Sequence, residues 1–95
     1  MSNRDVYIAK MKLQLDELNL QMGKVEIRAK EAREDVREKY KEEMVKLRAQ
    51  SRLAVAKLEE MQTAGETGWD SMVTEMEKIR DAFTHSFSYF KSQVK

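Results

Sequence analysis

The stretch Gln62-Thr63-Ala64-Gly65-Glu66-Thr67-Gly68 decides the fold, because it interrupts a chain that otherwise carries a helical pattern. Apolar or small residues return every three or four positions from Met11 to Val94, and the chain contains no proline. This spacing is typical of helices that pack along a seam, whereas clustered glycine and threonine are typical of a helix boundary. We therefore predict two helices, at about 4–62 and 68–93, joined by a turn at 63–67.

The apolar positions on the two sides of this turn mirror one another about Gly65, which would take the left-handed conformation that ends many helices. Mirrored positions meet when two helices pack antiparallel, so that Ala54 would face Met76 and Tyr40 would face Phe90. Small residues opposite large ones fill space without voids. The alternative is one continuous helix in which the glycines are only a soft spot. The predicted packing residues are Val36, Tyr40, Met44, Leu47, Ala54, Leu58 and Met61 on the first helix, Trp69, Met72, Met76, Ile79, Phe83, Phe87, Phe90 and Val94 on the second, and Gly65 and Gly68 in the turn.

Residues 4–35 would extend beyond the hairpin, because the first helix packs against the second only over residues 36–62. The apolar residues of this N-terminal arm lie on two faces, and a helix that is apolar on two faces in water has to be covered on two sides. We expect the arm to pair with other copies of the chain, from dimer to tetramer, although a larger protein complex would satisfy the same physics. The predicted interface consists of an inner face, Met11, Leu15, Leu18, Met22 and Val25, and an outer face, Val6, Leu13, Leu20 and Ile27, whose members recur every seven residues.

The composition restricts the class of protein. With 95 residues, 37% of them charged, and three glycines, the chain is expected to form one domain, 1–95, with long exposed helices. The 18 basic and 17 acidic residues nearly cancel, so the net charge favours neither nucleic acid nor an anionic membrane as a partner. No segment approaches the roughly 20 apolar residues that span a bilayer, and the first residues lack the apolar core of a signal peptide. We expect a cytoplasmic protein.

Catalytic and ligand-binding chemistry has little support in the sequence. The chain has no cysteine, and its single histidine, His85, falls on the side of its helix away from the aromatic residues. Residue groups with the spacing of a metal site, a phosphate loop or a nucleophile with its base are missing from the sequence. We expect no enzymatic activity, no cofactor and no metal. The basic residues Lys46, Arg48, Arg52 and Lys57 form a weak candidate for docking phosphate or an acidic protein.

Three features carry a resemblance to a known group. They are the opening Arg4-Asp5-x-Tyr7-Ile8-x-Lys10-x-Lys12-x-Gln14-Leu15-Asp16-Glu17-Leu18-Asn19, the charged, alanine-rich middle segment, and the turn from Gly65 to Asp70. With these features, most of the chain resembles a group of small uncharacterised bacterial coiled-coil proteins. The resemblance implies a bacterial, cytosolic origin and a helical hairpin, and it implies no catalytic or ligand-binding residue.

Together these observations predict an all-α fold, an antiparallel coiled-coil hairpin of one long and one short helix, assembled into an oligomeric helical bundle. The predicted function is a non-enzymatic scaffold or adaptor that self-associates through its N-terminal helix by protein–protein interaction. One alternative is an accessory or regulatory subunit that docks this arm onto a larger enzyme complex. Another is a peripheral protein that binds a membrane surface through the aromatic face of the C-terminal helix.

Overall fold

A computed structural model describes residues 3–94, which fold as three α-helices. Helix α1 spans Asn3–Lys30, α2 spans Glu34–Thr63 and α3 spans Trp69–Gln93. Both α1 and α3 pack mainly against α2, in a bundle of about 50 × 19 × 18 Å. The predicted all-α class is confirmed. Residues 1, 2 and 95, the ends of the domain predicted over 1–95, lie outside the described residues.

The prediction of a single helix over 4–62 is wrong, because the chain reverses at residues 31–33. Two hydrogen bonds of the tighter i,i+3 type end α1, from the amide of Glu31 to the carbonyl of Arg28 and from Ala32 to Ala29, each 3.2 Å long. Arg33 is then extended, with φ −59° and ψ 148°, and its carbonyl accepts hydrogen bonds from the backbone amides of Val36 and Arg37. The N-terminal arm therefore folds back on the rest of the chain.

Charge at the two helix ends favours this reversal. Arg28 and Lys30 lie in the last turn of α1, and Glu34 and Asp35 lie in the first turn of α2. Basic residues stabilise a helix C-terminus and acidic residues an N-terminus, through the helix dipole. This turn contains neither glycine nor proline, so the residues of the segment do not indicate a helix boundary. Packing the inner face of α1 against α2 compensates for the helical hydrogen bonds that the turn gives up.

One continuous core runs through the bundle. All three helices contribute buried apolar residues, and Ala54, Met61, Met76 and Phe83 are completely buried. The residues of this core are Met11, Leu15, Met22, Val25, Ala29, Met44, Leu47, Ala54, Leu58, Met61, Met76, Phe83, Phe87, Phe90 and Val94, with Tyr7, Ile8, Leu18, Tyr40, Trp69, Met72, Val73 and Ile79 packed at its margin. The 3-4 pattern that marked one seam in the sequence is thus divided among three helices that share a single interior.

Helices α2 and α3 pack antiparallel, and Tyr40 meets Phe90 as the mirrored pattern predicts. The rings of Tyr40 and Phe90 meet edge to face, with centroids 5.7 Å apart. The Tyr40 hydroxyl donates a 2.9 Å hydrogen bond to the carbonyl of Gln93, at the end of α3. Farther along the pair, the side-chain amide of Gln50 donates a 3.2 Å hydrogen bond to the hydroxyl of Ser86. Val36 is half-buried beside this end of the pair, where Val94 is buried.

The turn between these helices departs from the prediction in one detail. Helix α2 ends at Thr63, and the next residue, Ala64, is extended with φ −73° and ψ 147°. The left-handed residue is Gly68, with φ 80°, rather than Gly65. A residue with a side chain is strained in this conformation, so Gly68 is the position at which the turn requires glycine. It immediately precedes Trp69, the first residue of α3.

Arg4 ties the ends of all three helices together. Its guanidinium donates hydrogen bonds to the carbonyls of Met61, over 3.3 Å, and Ala64, at the end of α2. It also lies 5.0 Å from the ring centroid of Trp69, at the start of α3. The ring of Tyr7 meets Trp69 edge to face at 5.8 Å. The last carbonyls of α2 have no partner within their own helix, so a cation from α1 satisfies them and favours the folded-back position of α1.

We predict that Arg4→Ala lowers the free energy of unfolding by about 1.5–3 kcal/mol, because it removes charge-assisted hydrogen bonds to two carbonyls. The cation–π contact with Trp69 is lost as well. Lys12→Ala, at an exposed position of the same helix, is the matched control and should change stability by no more than about 0.5 kcal/mol, the contribution of a surface ion pair. Urea denaturation measures both variants. Equal stability of the two would show that Arg4 does not hold the helix ends together.

Candidate functional site

The inner face of the N-terminal helix is used within the chain. Met11, Leu15, Met22 and Val25 are buried in the core of the bundle, and Leu18 is partly buried against it. The prediction that these residues contact another copy rests on one helix over 4–62, and the turn at residues 31–33 removes that premise. In the folded chain, α2 and α3 cover them instead.

The outer face of α1 remains open. Its four apolar residues are exposed by 36% at Val6, 70% at Leu13, 57% at Leu20 and 61% at Ile27. They recur every seven residues, and at 1.5 Å per residue they follow about 32 Å of the helix. This is the part of the predicted interface that a partner can reach while the bundle stays folded.

Gly23 lies on the same outer face, three residues after Leu20 and four before Ile27. A Cβ added at this glycine would meet nothing within 4 Å, so the folded chain provides no steric reason for glycine here. Glycine within a helix costs about 1 kcal/mol relative to alanine. Because glycine has no side chain, the backbone of another helix can approach α1 closely at this position.

A second candidate is a cleft between α1 and α2, close to the turn that joins them. It has a volume of about 240 Å³ and an apolar lining formed by Ala29, Tyr40, Met44 and Val45. Its rim carries four basic residues and one acidic residue, Lys30, Arg37, Lys41, Arg48 and Glu26. Sequence reasoning missed this cleft, since the residues that form it come together only when α1 packs on α2. The sequence signal that remains is a small residue, Ala29, within the apolar seam.

The basic cluster suggested by the sequence does not form one surface. Arg48 pairs with Glu26 of α1, Lys57 pairs with Glu75 of α3, and Lys46 lies 3.5 Å from Glu43 of its own helix. Arg52 is exposed on α2. Two members of the cluster thus bridge α2 to different neighbouring helices.

The pKa shifts in the described residues arise from packing and ion pairing. A hydrogen bond with Glu75 raises the pKa of Lys57, and the same hydrogen bond together with the lysine charge lowers the pKa of Glu75. Burial raises the pKa of Tyr7, and the nearby carboxylate of Glu77 raises it further. His85 is exposed on α3. Within residues 3–94, no three histidine, cysteine or acidic side chains are grouped as a metal ion would require.

Two further observations concern the whole of the described chain. None of the three helices, over residues 3–94, combines the length and the apolar content that crossing a membrane requires. Comparison with models of protein families, with curated proteins and with solved structures found no match to this chain. The arrangement of the surface residues is therefore the basis for any functional proposal.

We predict that the Lys57–Glu75 ion pair makes stability depend on pH in acid. Because the pKa of Glu75 is lower in the folded chain than its usual 4.5, the pair stabilises the fold above that pH. The stabilisation is lost as the pH falls through the lowered folded pKa, where the carboxylate is protonated in both states. Glu75→Gln should accordingly be less stable than the natural chain at pH 7 and equally stable once Glu75 is protonated.

Urea denaturation at pH 7 and at pH 2 to 3 measures this difference. Glu59→Gln, at another exposed acidic position, is the control and should show no such pH-dependent loss. A stability difference between Glu75→Gln and the natural chain that persists unchanged in acid would contradict a role for the carboxylate charge.

Proposed function

We propose that this protein is a non-enzymatic scaffold or adaptor that self-associates through the outer face of α1. The observation that carries the proposal is the row of Val6, Leu13, Leu20 and Ile27, which stays exposed although the opposite face of the same helix is already buried. Apolar residues spaced by seven form one row along a helix, and such a row is one of the two apolar positions that paired helices repeat in each heptad. Burial of apolar surface in such a pair supplies the free energy of association.

The charges beside this row favour a second copy of the chain as the partner. Lys10, Glu17 and Lys24 each follow an outer-face residue by four positions and alternate in sign. Two such helices displaced by one heptad bring lysine opposite glutamate, whereas a partner of one charge sign would meet both attraction and repulsion. The inner side of α1 is already covered by α2. Association through the outer face therefore joins bundles that are folded without it.

The membrane-surface alternative requires a different state of the bundle. The aromatic face that would contact lipid contains Phe83, Phe87 and Phe90, all of which are buried between the helices. Exposing them means separating α3 from the rest of the core, at a cost of the order of 2 kcal/mol or more for each large side chain. The outer face of α1 is available without such a change, and this difference favours self-association. A docking role toward a larger enzyme complex would use the same outer face.

We predict that the double substitution Leu13→Glu with Leu20→Glu dissociates the oligomer while the chain stays helical and folded. Both side chains are more than half exposed, so the changes act on association rather than on the core. The matched control is Val45→Glu with Leu53→Glu, which places the same charges on α2 at exposures of 66% and 56%. Light scattering over a concentration series measures the mass. An unchanged mass for the first variant, or equal loss of mass for both, would contradict the proposal.

We predict opposite effects of Gly23→Ala on folding and on association. In the dissociated double variant, alanine should raise the free energy of unfolding by about 1 kcal/mol, since it is the better helix former. In the natural background it should weaken association, because its methyl group separates the two helices beside Leu20 and Ile27. Urea denaturation and light scattering measure the two effects. Association that strengthens along with folding would place Gly23 outside the interface.

A further inference from the structure

The cleft between α1 and α2 combines an apolar floor with an excess of positive charge. Ala29 and Met44 are buried at its base, Tyr40 is half-buried, and Val45, exposed by 66%, forms its outer edge. Four basic residues against one carboxylate give the lining a net charge of about +3 at neutral pH, although the whole chain carries only +1. The positive field is therefore a local property of this cleft.

The ion pairs at the rim leave part of this charge uncompensated. Glu26 pairs with Arg48 across the cleft and lies 3.7 Å from Lys30 on its own helix. Lys41 lies 3.4 Å from Glu38, which is not part of the lining. Arg37 makes no ion pair among the described residues, and its side chain is free to bind an anion at the mouth of the cleft.

Three other clefts on the described residues do not share this excess of positive charge. The cleft between α1 and α3 carries Arg80 together with Glu17, and the cleft between the start of α2 and the end of α3 carries Lys39 together with Glu43. The space beside Trp69 is lined by one arginine and by the acidic residues 66 and 70. A concave apolar surface with a one-sided charge thus distinguishes the cleft between α1 and α2.

The size of the cleft limits what it can hold. A cavity of about 150 Å³ accepts benzene, and pockets for drug-sized ligands begin at about 300 Å³. At about 240 Å³, this cleft suits one short acyl chain or one aromatic ring with a small polar group. Nine residues line it, fewer than the roughly 20–30 that each partner contributes to a stable protein interface.

We propose that this cleft binds a small amphiphilic carboxylate, with the apolar part against Ala29, Tyr40 and Met44 and the carboxylate at Arg37. Arginine matches a carboxylate with two parallel hydrogen bonds, and methionine adapts to irregular apolar ligands. Lys41, on the same rim, adds attraction for the anion. A bound ligand would contact both α1 and α2 beside the turn that joins them and would stabilise the folded chain by linkage. The proposal does not depend on self-association.

Octanoate is the probe, titrated into the full chain while amide chemical shifts are recorded by NMR. Saturable shifts are expected at Ala29 and Val45, with a rise in melting temperature. Octanol, which has the same chain without the charge, should bind at least about fivefold more weakly, as loss of a charge-assisted hydrogen bond implies. Acetate, which lacks the chain, should give no saturable shift.

Variants of two exposed arginines on α2 separate the cleft from general electrostatics. Arg37→Glu should weaken octanoate binding about tenfold or more, because it replaces the arginine that would bind the carboxylate by a residue whose negative charge repels it. Arg52→Glu makes the same charge change at a position outside the lining and should leave the affinity within about twofold. The octanoate titration is repeated with the Leu13→Glu, Leu20→Glu double variant, which is expected not to self-associate. Octanoate binding and self-association are then measured independently, so that either proposal can fail without the other.

Three results would overturn the proposal. They are the absence of saturable shifts with octanoate, equal binding of octanol and octanoate, and equal weakening by the substitutions at Arg37 and Arg52.

Discussion

The fold depends on one constraint, which is that the inner apolar face of α1 has to be covered. Met11, Leu15, Met22 and Val25 form a continuous seam, and leaving such residues in water would cost about 1.5–3 kcal/mol for each large side chain. The chain covers them by reversing at residues 31–33, where helix-end charges favour a turn. Once α1 lies against α2, the α2–α3 hairpin becomes a three-helix bundle and its core becomes continuous. The hydrogen bonds from Arg4 to the carbonyls of Met61 and Ala64, at the end of α2, are possible only in this arrangement.

The sequence was sufficient to predict the second half of the molecule. The turn glycines, the mirrored spacing and the opposition of small and large residues place Tyr40 against Phe90, where their rings meet in the structure. The signals were strong because glycine marks the boundary and because aromatic residues identify the buried face. The left-handed residue was assigned to Gly65 instead of Gly68, since both glycines suit a helix boundary and only the three-dimensional path of the turn distinguishes them.

The first half could not be predicted in the same way. The turn at Glu31-Ala32-Arg33 is made of residues that are also good helix formers, and the flanking charges resemble the ion pairs of a long exposed helix. Local preference therefore favoured a continuous helix, and packing of the inner face favoured the reversal. The surface clefts depend on the same reversal. Arg37 and Ala29 line one cleft only after α1 and α2 pack antiparallel, so the cleft cannot be located from either segment alone.

The structure places α1 back on α2, so that each chain covers the inner face of its own α1. Distances between spin labels at Lys12 and Glu59 test it most directly, because the chain has no cysteine and both positions are exposed. Doubly labelled chain is diluted into an excess of unlabelled chain, so that only distances within one molecule remain. With α1 folded back on α2, the distance is expected to be comparable to the 19 × 18 Å cross-section of the bundle. A distance on the order of 70 Å, as along one continuous helix, would contradict it.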